Sequence, residues 1–183
     1  MSKAKKAVTI LLIVLIVLML IVVGGYLLIQ ARYPMEYREL IWTAAEKYDL
    51  DPYLVCAVIW TESRFDADSV SSAGAVGLMQ LMPETAQWIA QKLDGEVDPE
   101  NLTDPQTNIE LGCWYLSFLR ERFHDRDEIA AAYNAGHNRV NQWLSDGELS
   151  QDGRELDDIP FEETRNYVER VNTAYDIYKM LYH

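Results

Sequence analysis

The run Thr61-Glu62-Ser63-Arg64-Phe65 is followed by Ser69-Val70-Ser71-Ser72-Ala73-Gly74-Ala75-Val76-Gly77-Leu78-Met79-Gln80. Before it stands the apolar segment Leu54-Val55-Cys56-Ala57-Val58-Ile59-Trp60. Read as a helix, Leu54, Val55, Val58 and Ile59 form a stripe, and Glu62 continues it. That places a carboxylate on the core side of a helix's last turn. Desolvation and the negative end of the helix dipole both favour its protonated form there. A carboxylic acid that stays neutral near pH 7 is what a general acid requires. The plainer alternative is a glutamate at a frayed helix end, turned to water.

The small-residue run after Glu62 lacks helical periodicity. A loop is expected from Asp66 to Gly77, with Gly74 and Gly77 allowing tight turns and close approach to a ligand. Leu78-Met79-Gln80-Leu81-Met82 follows at once and is too apolar for solvent, so the loop should be pinned at its far end. Met79 reads as core.

Working outward, helix signals dominate. Tyr37, Leu40, Ile41, Ala44 and Tyr48 recur at helical spacing. Asp51-Pro52 and Asp104-Pro105 each give an N-cap followed by proline at the first helical position. These open a helix through Glu62 and another to about Phe123. The second has Ile109, Gly112, Cys113, Leu116 and Leu119 on one side. Gly112 on that stripe predicts a second helix packed close. Pro83 starts a helix to about Leu93. Asp127 is expected to open a further one that Gly136 stops, with a short helix from about Asn138 to Leu144. Ser145–Asp158 reads as an exposed acidic loop. A last helix begins near Pro160, with Tyr167, Val168, Val171, Ala174, Tyr175, Tyr178 and Leu181 buried. No alternating strand pattern appears, so the expected class is all-α.

The N-terminus differs from the rest. Lys3, Lys5 and Lys6 precede Ala7–Ile29, 23 residues without a charge. That length crosses a hydrocarbon layer of roughly 30 Å. A cleaved signal peptide would have a shorter apolar core and small residues at a cleavage site. The expected organisation is therefore 1–6 cytoplasmic, 7–29 a transmembrane anchor, and 30–183 an extracytoplasmic domain, since lysines mark the inner side.

The formal charge is −13, and the three lysines account for +3, so the part from Gln30 onward carries −16. This excludes nucleic acid as a partner, because phosphate binding needs basic surface, and favours a neutral or amphoteric polymer. Cys56 and Cys113 fall in apolar stretches and read as buried thiols, although an exported domain permits a disulfide. His124, His137 and His183 have no ligand-like spacing, so no metal or cofactor is expected.

Four patches together resemble the soluble lytic transglycosylase family, whose fold is goose-type-lysozyme-like. They are Glu62-Ser63, Gly77-Leu78-Met79-Gln80-Leu81-Met82-Pro83, Ala132-Tyr133-Asn134-Ala135-Gly136, and Ile159-Pro160-Phe161 with Glu163-Thr164-Arg165-Asn166-Tyr167-Val168. The resemblance spans about Glu36 to Leu181. It implies a lysozyme-like multi-helix domain that cleaves the β-1,4 bond from N-acetylmuramic acid to N-acetylglucosamine in peptidoglycan strands, leaving a 1,6-anhydro end. It implies Glu62 as the single catalytic acid, Ser71 near the cleaved bond, Gln80, Met82, Tyr133 and Asn134 along the groove, and Tyr167 beside the carboxylate. Ser72 stands where the family often has proline. Asp66 and Asp68 are close in sequence, but fall in or beside the loop. Two other functions fit the same residues: hydrolysis by a muramidase, and a non-catalytic peptidoglycan-binding module. Wall-synthesis or secretion machinery is the class of protein partner to expect.

Overall fold

The computed structural model describes residues 3–95 and 97–183; Met1 and Ser2 of the N-terminal flank, and Glu96 in the polar stretch after Leu93, lie outside the described residues. Eight helices and no strand occur among the described residues, which is the all-α class expected. Two isolated bridges, Val70 to Val76 and Val76 to Leu81, pin the loop without making a sheet.

Helix α1 (Lys3–Arg32) is a unit by itself. Its stretch Ile10–Arg32 is long and apolar enough to cross a membrane, and none of its hydropathic window is buried by protein. A solitary helix with leucines and isoleucines on every face has no protein core to join.

The second unit runs from Met35 to His183. Its centre is α3 (Pro52–Glu62), which packs chiefly on α8 (Glu162–Tyr182) and also on α2 (Arg38–Lys47). Around this pair stand α4 (Pro83–Lys92), α5 (Pro105–Arg120), α6 (Arg126–Ala135) and α7 (His137–Leu144). The expected stripe on α3 is instead a fully buried helix: every residue from Val55 to Trp60 is buried, and Leu54 only half so. Neighbours on several sides leave no polar face to present, so the apolar run is continuous rather than periodic.

Both Asp-Pro starts form as expected. Asp51 accepts from the Tyr53 amide at 2.9 Å, and Asp104 from the Thr107 amide at 2.8 Å, satisfying donors that a first turn leaves open. The α6 start differs. Asp125, two residues before the expected Asp127, caps it by accepting from the Glu128 amide at 2.8 Å. Asp127 lies within the first turn and accepts from Asn172 at 2.7 Å. Helix α5 closes at Arg120, and Phe123 reaches the core from the turn beyond.

Two packing expectations are corrected. Gly112 makes room for the Met79 side chain, a loop residue, and not for another helix. The segment Ser145–Asp158 is not merely solvent-exposed. The Leu156 amide donates to the buried Glu128 carboxylate at 3.2 Å, and Ser150 is buried. Tyr175 and Leu181 of α8 are half-buried rather than core. Both cysteines are fully buried and unpaired.

Candidate active site

Glu62 is the last residue of α3. It is half-buried, so one side of the carboxyl meets solvent while the other meets protein. Burial pushes its pKa from 4.5 up to about 7; the Tyr167 hydrogen bond, and then the nearby Arg170 charge, pull it back down. Tyr167 Oη donates to Glu62 Oε1 at 2.8 Å across 105 positions of sequence. Tyr167 is itself buried, and its phenol is held neutral by desolvation first and by the adjacent carboxylate second.

The chain reverses immediately after Glu62. Ser63 caps α3 and its hydroxyl donates to Leu78 O at 2.8 Å, tying the helix end to the far side of the loop. Arg64 and Phe65 both take left-handed backbone, with φ of 59° and 68°, a conformation that costs a bulky residue energy. The buried Phe65 ring against Tyr178 offsets that cost.

The loop is ordered by its own polar groups. The Ala75 amide donates to Ser71 Oγ at 3.0 Å, and the Ser71 amide to Ala75 O at 2.9 Å. Gln80 Nε2 donates to Ser69 O at 3.0 Å and to Gly77 O at 2.9 Å. Asn108 of α5, fully buried, accepts from the Met79 amide at 2.7 Å and donates to Val76 O and Leu102 O. Gly77 has φ 82°, and a Cβ there would collide with Leu102 O and the Asn108 amide. The loop is thus a rigid wall, fixed at both ends.

Tyr133 of α6 donates to Met79 O at 2.8 Å, which joins a second tyrosine to the same wall. Its phenol is kept neutral by burial, then by the Glu62 charge. The next residue, Asn134, is exposed and accepts from Thr164 Oγ1 at 2.9 Å, linking the end of α6 to the start of α8. Met82 is exposed at the start of α4.

Of the residues picked from the sequence, Glu62, Tyr167 and Tyr133 share one electrostatic neighbourhood. Ser71 and Gln80 shape the loop, with the Gln80 Nε2 donors already used. Met82 and Asn134 have no bond to the carboxyl group. Asp66 and Asp68 are both exposed. The sequence reading passed over Asn108, Tyr115 and Arg170. Asn108 shares a face with Gly112 and Tyr115 at i, i+4 and i+7, and a polar side chain on such a stripe is the signature of a buried hydrogen-bonding anchor. Arg170 is one turn past Tyr167, with its guanidinium carbon 5.9 Å from that ring's centroid.

This arrangement can hold a proton near neutral pH and offer it at the open side of the carboxyl group. Neutral phenols and amides around it suit an uncharged, hydroxyl-rich ligand.

Residues 39–152 match the family model described as the transglycosylase SLT domain. The chain is 36% identical over 154 residues to the soluble lytic murein transglycosylase of Escherichia coli K12, covering 82% of this chain and 24% of that one. It is 32% identical over 179 residues to the membrane-bound lytic murein transglycosylase C of Actinobacillus pleuropneumoniae, covering 85% and 48%. Among solved structures, an inactive variant of a lytic transglycosylase from Pseudomonas aeruginosa superposes with a TM-score of 0.72 at 35% identity, over 83% of this chain and 25% of that one. The 70-kDa soluble lytic transglycosylase of Escherichia coli gives 0.73 at 31% identity, again over 83% and 25%. The chain therefore spans a quarter to a half of the length of these relatives. With the family model covering more than half of its residues, and the same helices laid out in the same way, the chain belongs to the transglycosylase SLT domain family and has its lysozyme-like fold.

Proposed function

We propose that the chain is a membrane-anchored lytic transglycosylase of peptidoglycan. The observation that carries this reading is Glu62: half-buried, with its pKa raised to about 7 and a phenol as its partner. The family supplies the reaction class, and the relatives named above are lytic murein transglycosylases.

Protonated Glu62 gives its proton to the glycosidic oxygen between N-acetylmuramic acid and N-acetylglucosamine. The C1–O bond breaks with its electron pair leaving on that oxygen. The Glu62 carboxylate, with Tyr167 donating to it, then takes the proton of the muramic C6 hydroxyl, and O6 closes on C1 as a 1,6-anhydro ring. The neighbouring acetamide stabilises the cationic intermediate, as in substrate-assisted glycosidases. One carboxyl group suffices because the sugar carries its own nucleophile. Ser71, the free carbonyl oxygen of Gln80, Met82, Tyr133 and Asn134 form the groove wall, and aromatic rings cover the C–H faces of the pyranoses.

Residues 7–29 act as the anchor, with residues 1–6 cytoplasmic and 30–183 outside. The exposed apolar surface of α1 supports this, as does the lysine flank before it.

Digestion of purified sacculi followed by product mass analysis tests the reaction. The wild-type chain should release muropeptides one water lighter than reducing-end fragments, and Glu62→Gln should release none. Fragments with reducing ends would establish a muramidase instead. Retention of the chain in carbonate-washed membranes tests the anchor.

A further inference from the structure

In a domain with so many more acids than bases, a concavity without a carboxylate stands apart. The cavities lined by Asp125 and Glu128, by Asp98 and Glu100, and by Asp94 and Asp98 are all acidic. A fourth, of about 460 Å³, lies between α4, α5 and α7 and has no acidic lining. Its walls include Thr85, Tyr115, His137, Asn138, Arg139 and Gln142.

The one formal charge on this lining is Arg139. It is exposed, with its guanidinium carbon 5.5 Å from the Phe161 ring centroid. It makes no ion pair among the described residues. His137 adds none, since burial, and then the Arg122 charge, lower its proton affinity. The hydroxyl of Thr85 and the amides of Asn138 and Gln142 offer donors and acceptors of the kind that a peptide backbone satisfies. Tyr115 connects the cavity to the site. Its ring centroid is 5.5 Å from that of Tyr133, whose hydroxyl holds the loop wall beyond Glu62.

We infer that this cavity receives the carboxylate-bearing peptide stem of the glycan, with Arg139 pairing its carboxylate. The inference rests on the lytic transglycosylase reading of Glu62 and adds a determinant of specificity to it. A guanidinium is suited to the task, because its planar fork meets a carboxylate with two parallel hydrogen bonds. The volume falls in the range of small-ligand sites, enough for part of a stem and not for a further length of glycan. A neutral sugar would make no use of an unpaired cation.

The test uses the full chain in detergent and two measurements. First, kcat/KM is measured on sacculi with intact stems and on sacculi stripped of peptide by an amidase, for wild type, Arg139→Lys and Arg139→Glu. Arg139→Glu should lose about ten-fold or more on stem-bearing substrate, chiefly through KM, and much less on stripped glycan, with Arg139→Lys in between. Equal losses on both substrates, or none on the stem-bearing one, would overturn the inference. Second, calorimetry follows binding of a disaccharide carrying a tripeptide stem to Glu62→Gln, with and without Arg139→Glu. Weaker binding with the charge reversed supports the cavity even if the wild type releases no anhydro product, an outcome that would sink only the proposed reaction. Unchanged binding beside normal turnover would sink only the cavity.

Discussion

Tyr167 and Glu62 oppose each other's surroundings. Burial favours the protonated carboxyl group, while the phenol at 2.8 Å favours the ionised one. The pair therefore balances near neutrality a group that needs both forms in one catalytic cycle.

Replacing Tyr167 with Phe removes the donor and leaves desolvation less opposed. The Glu62 pKa then rises above about 7. Because the first step needs the protonated acid, the basic limb of the pH–rate profile should move to higher pH. The rate itself should fall by roughly 10- to 100-fold, the worth of a hydrogen bond to a charged group. A profile measured by anhydro-product release checks both, and a lower rate with an unmoved limb would assign Tyr167 a packing role alone.

The raised pKa also costs stability. Between 4.5 and about 7 the folded chain binds a proton at Glu62 that the unfolded chain has released, so stability falls as pH rises through that window. Below it both states are protonated and the cost vanishes. Glu62→Gln should therefore melt higher than wild type at pH 8, with the gap closing at pH 4. After allowance for solvent at the open side of the carboxyl group, the gap is about 2 kcal/mol, or about 4–8 °C for a domain of this size. Calorimetric scans at the two pH values measure it.

Asn108→Ala strands the Met79 amide and the carbonyls of Val76 and Leu102, all away from water. The expected loss is about 3 kcal/mol or more. Hydrogen exchange should quicken first between Ser69 and Leu81, ahead of global opening, because that segment loses its anchor. Denaturant unfolding and exchange mass spectrometry test the two parts separately.

Gly112→Ala drives a methyl group into the Met79 side chain, a packing clash of about 1–3 kcal/mol. Met79→Ala alone opens a cavity and costs about 2–5 kcal/mol. The double variant should be more stable than the two losses added together, and a double-mutant cycle by chemical denaturation reads the difference.

Local chemistry was legible where one residue type has one structural use. Asp51-Pro52 and Asp104-Pro105 fix helix starts because the aspartate caps and proline needs no partner for its nitrogen. Gly136, with φ 90°, ends α6 because few other residues adopt that backbone. Where two residues compete, the sequence is ambiguous: Asp125 and Asp127 are both plausible caps, and only the chain's direction decides for Asp125. A small residue announces close approach but not what approaches, so Gly112 pointed to a helix and met Met79. The α3 stripe misled because periodicity vanishes when every face is covered. At the site, the neighbours of Glu62 come from α8 and α6, about seventy to a hundred positions away, and spacing along one helix carries no record of them. The four motif patches bridge that distance by resemblance alone. Asn108, Tyr115 and Arg170 belong to none of them.

Cys56 and Cys113 have one more consequence. Both thiols are wholly enclosed, and burial pushes the Cys56 pKa up to about 12 and raises that of Cys113 as well. Reactive thiolate is then scarce and out of reach of reagents. Alkylating agents should find neither sulfur until α3 and α5 come apart. The chain thus contains its own chemical clock for global opening, readable by mass shift in intact cells without any added label.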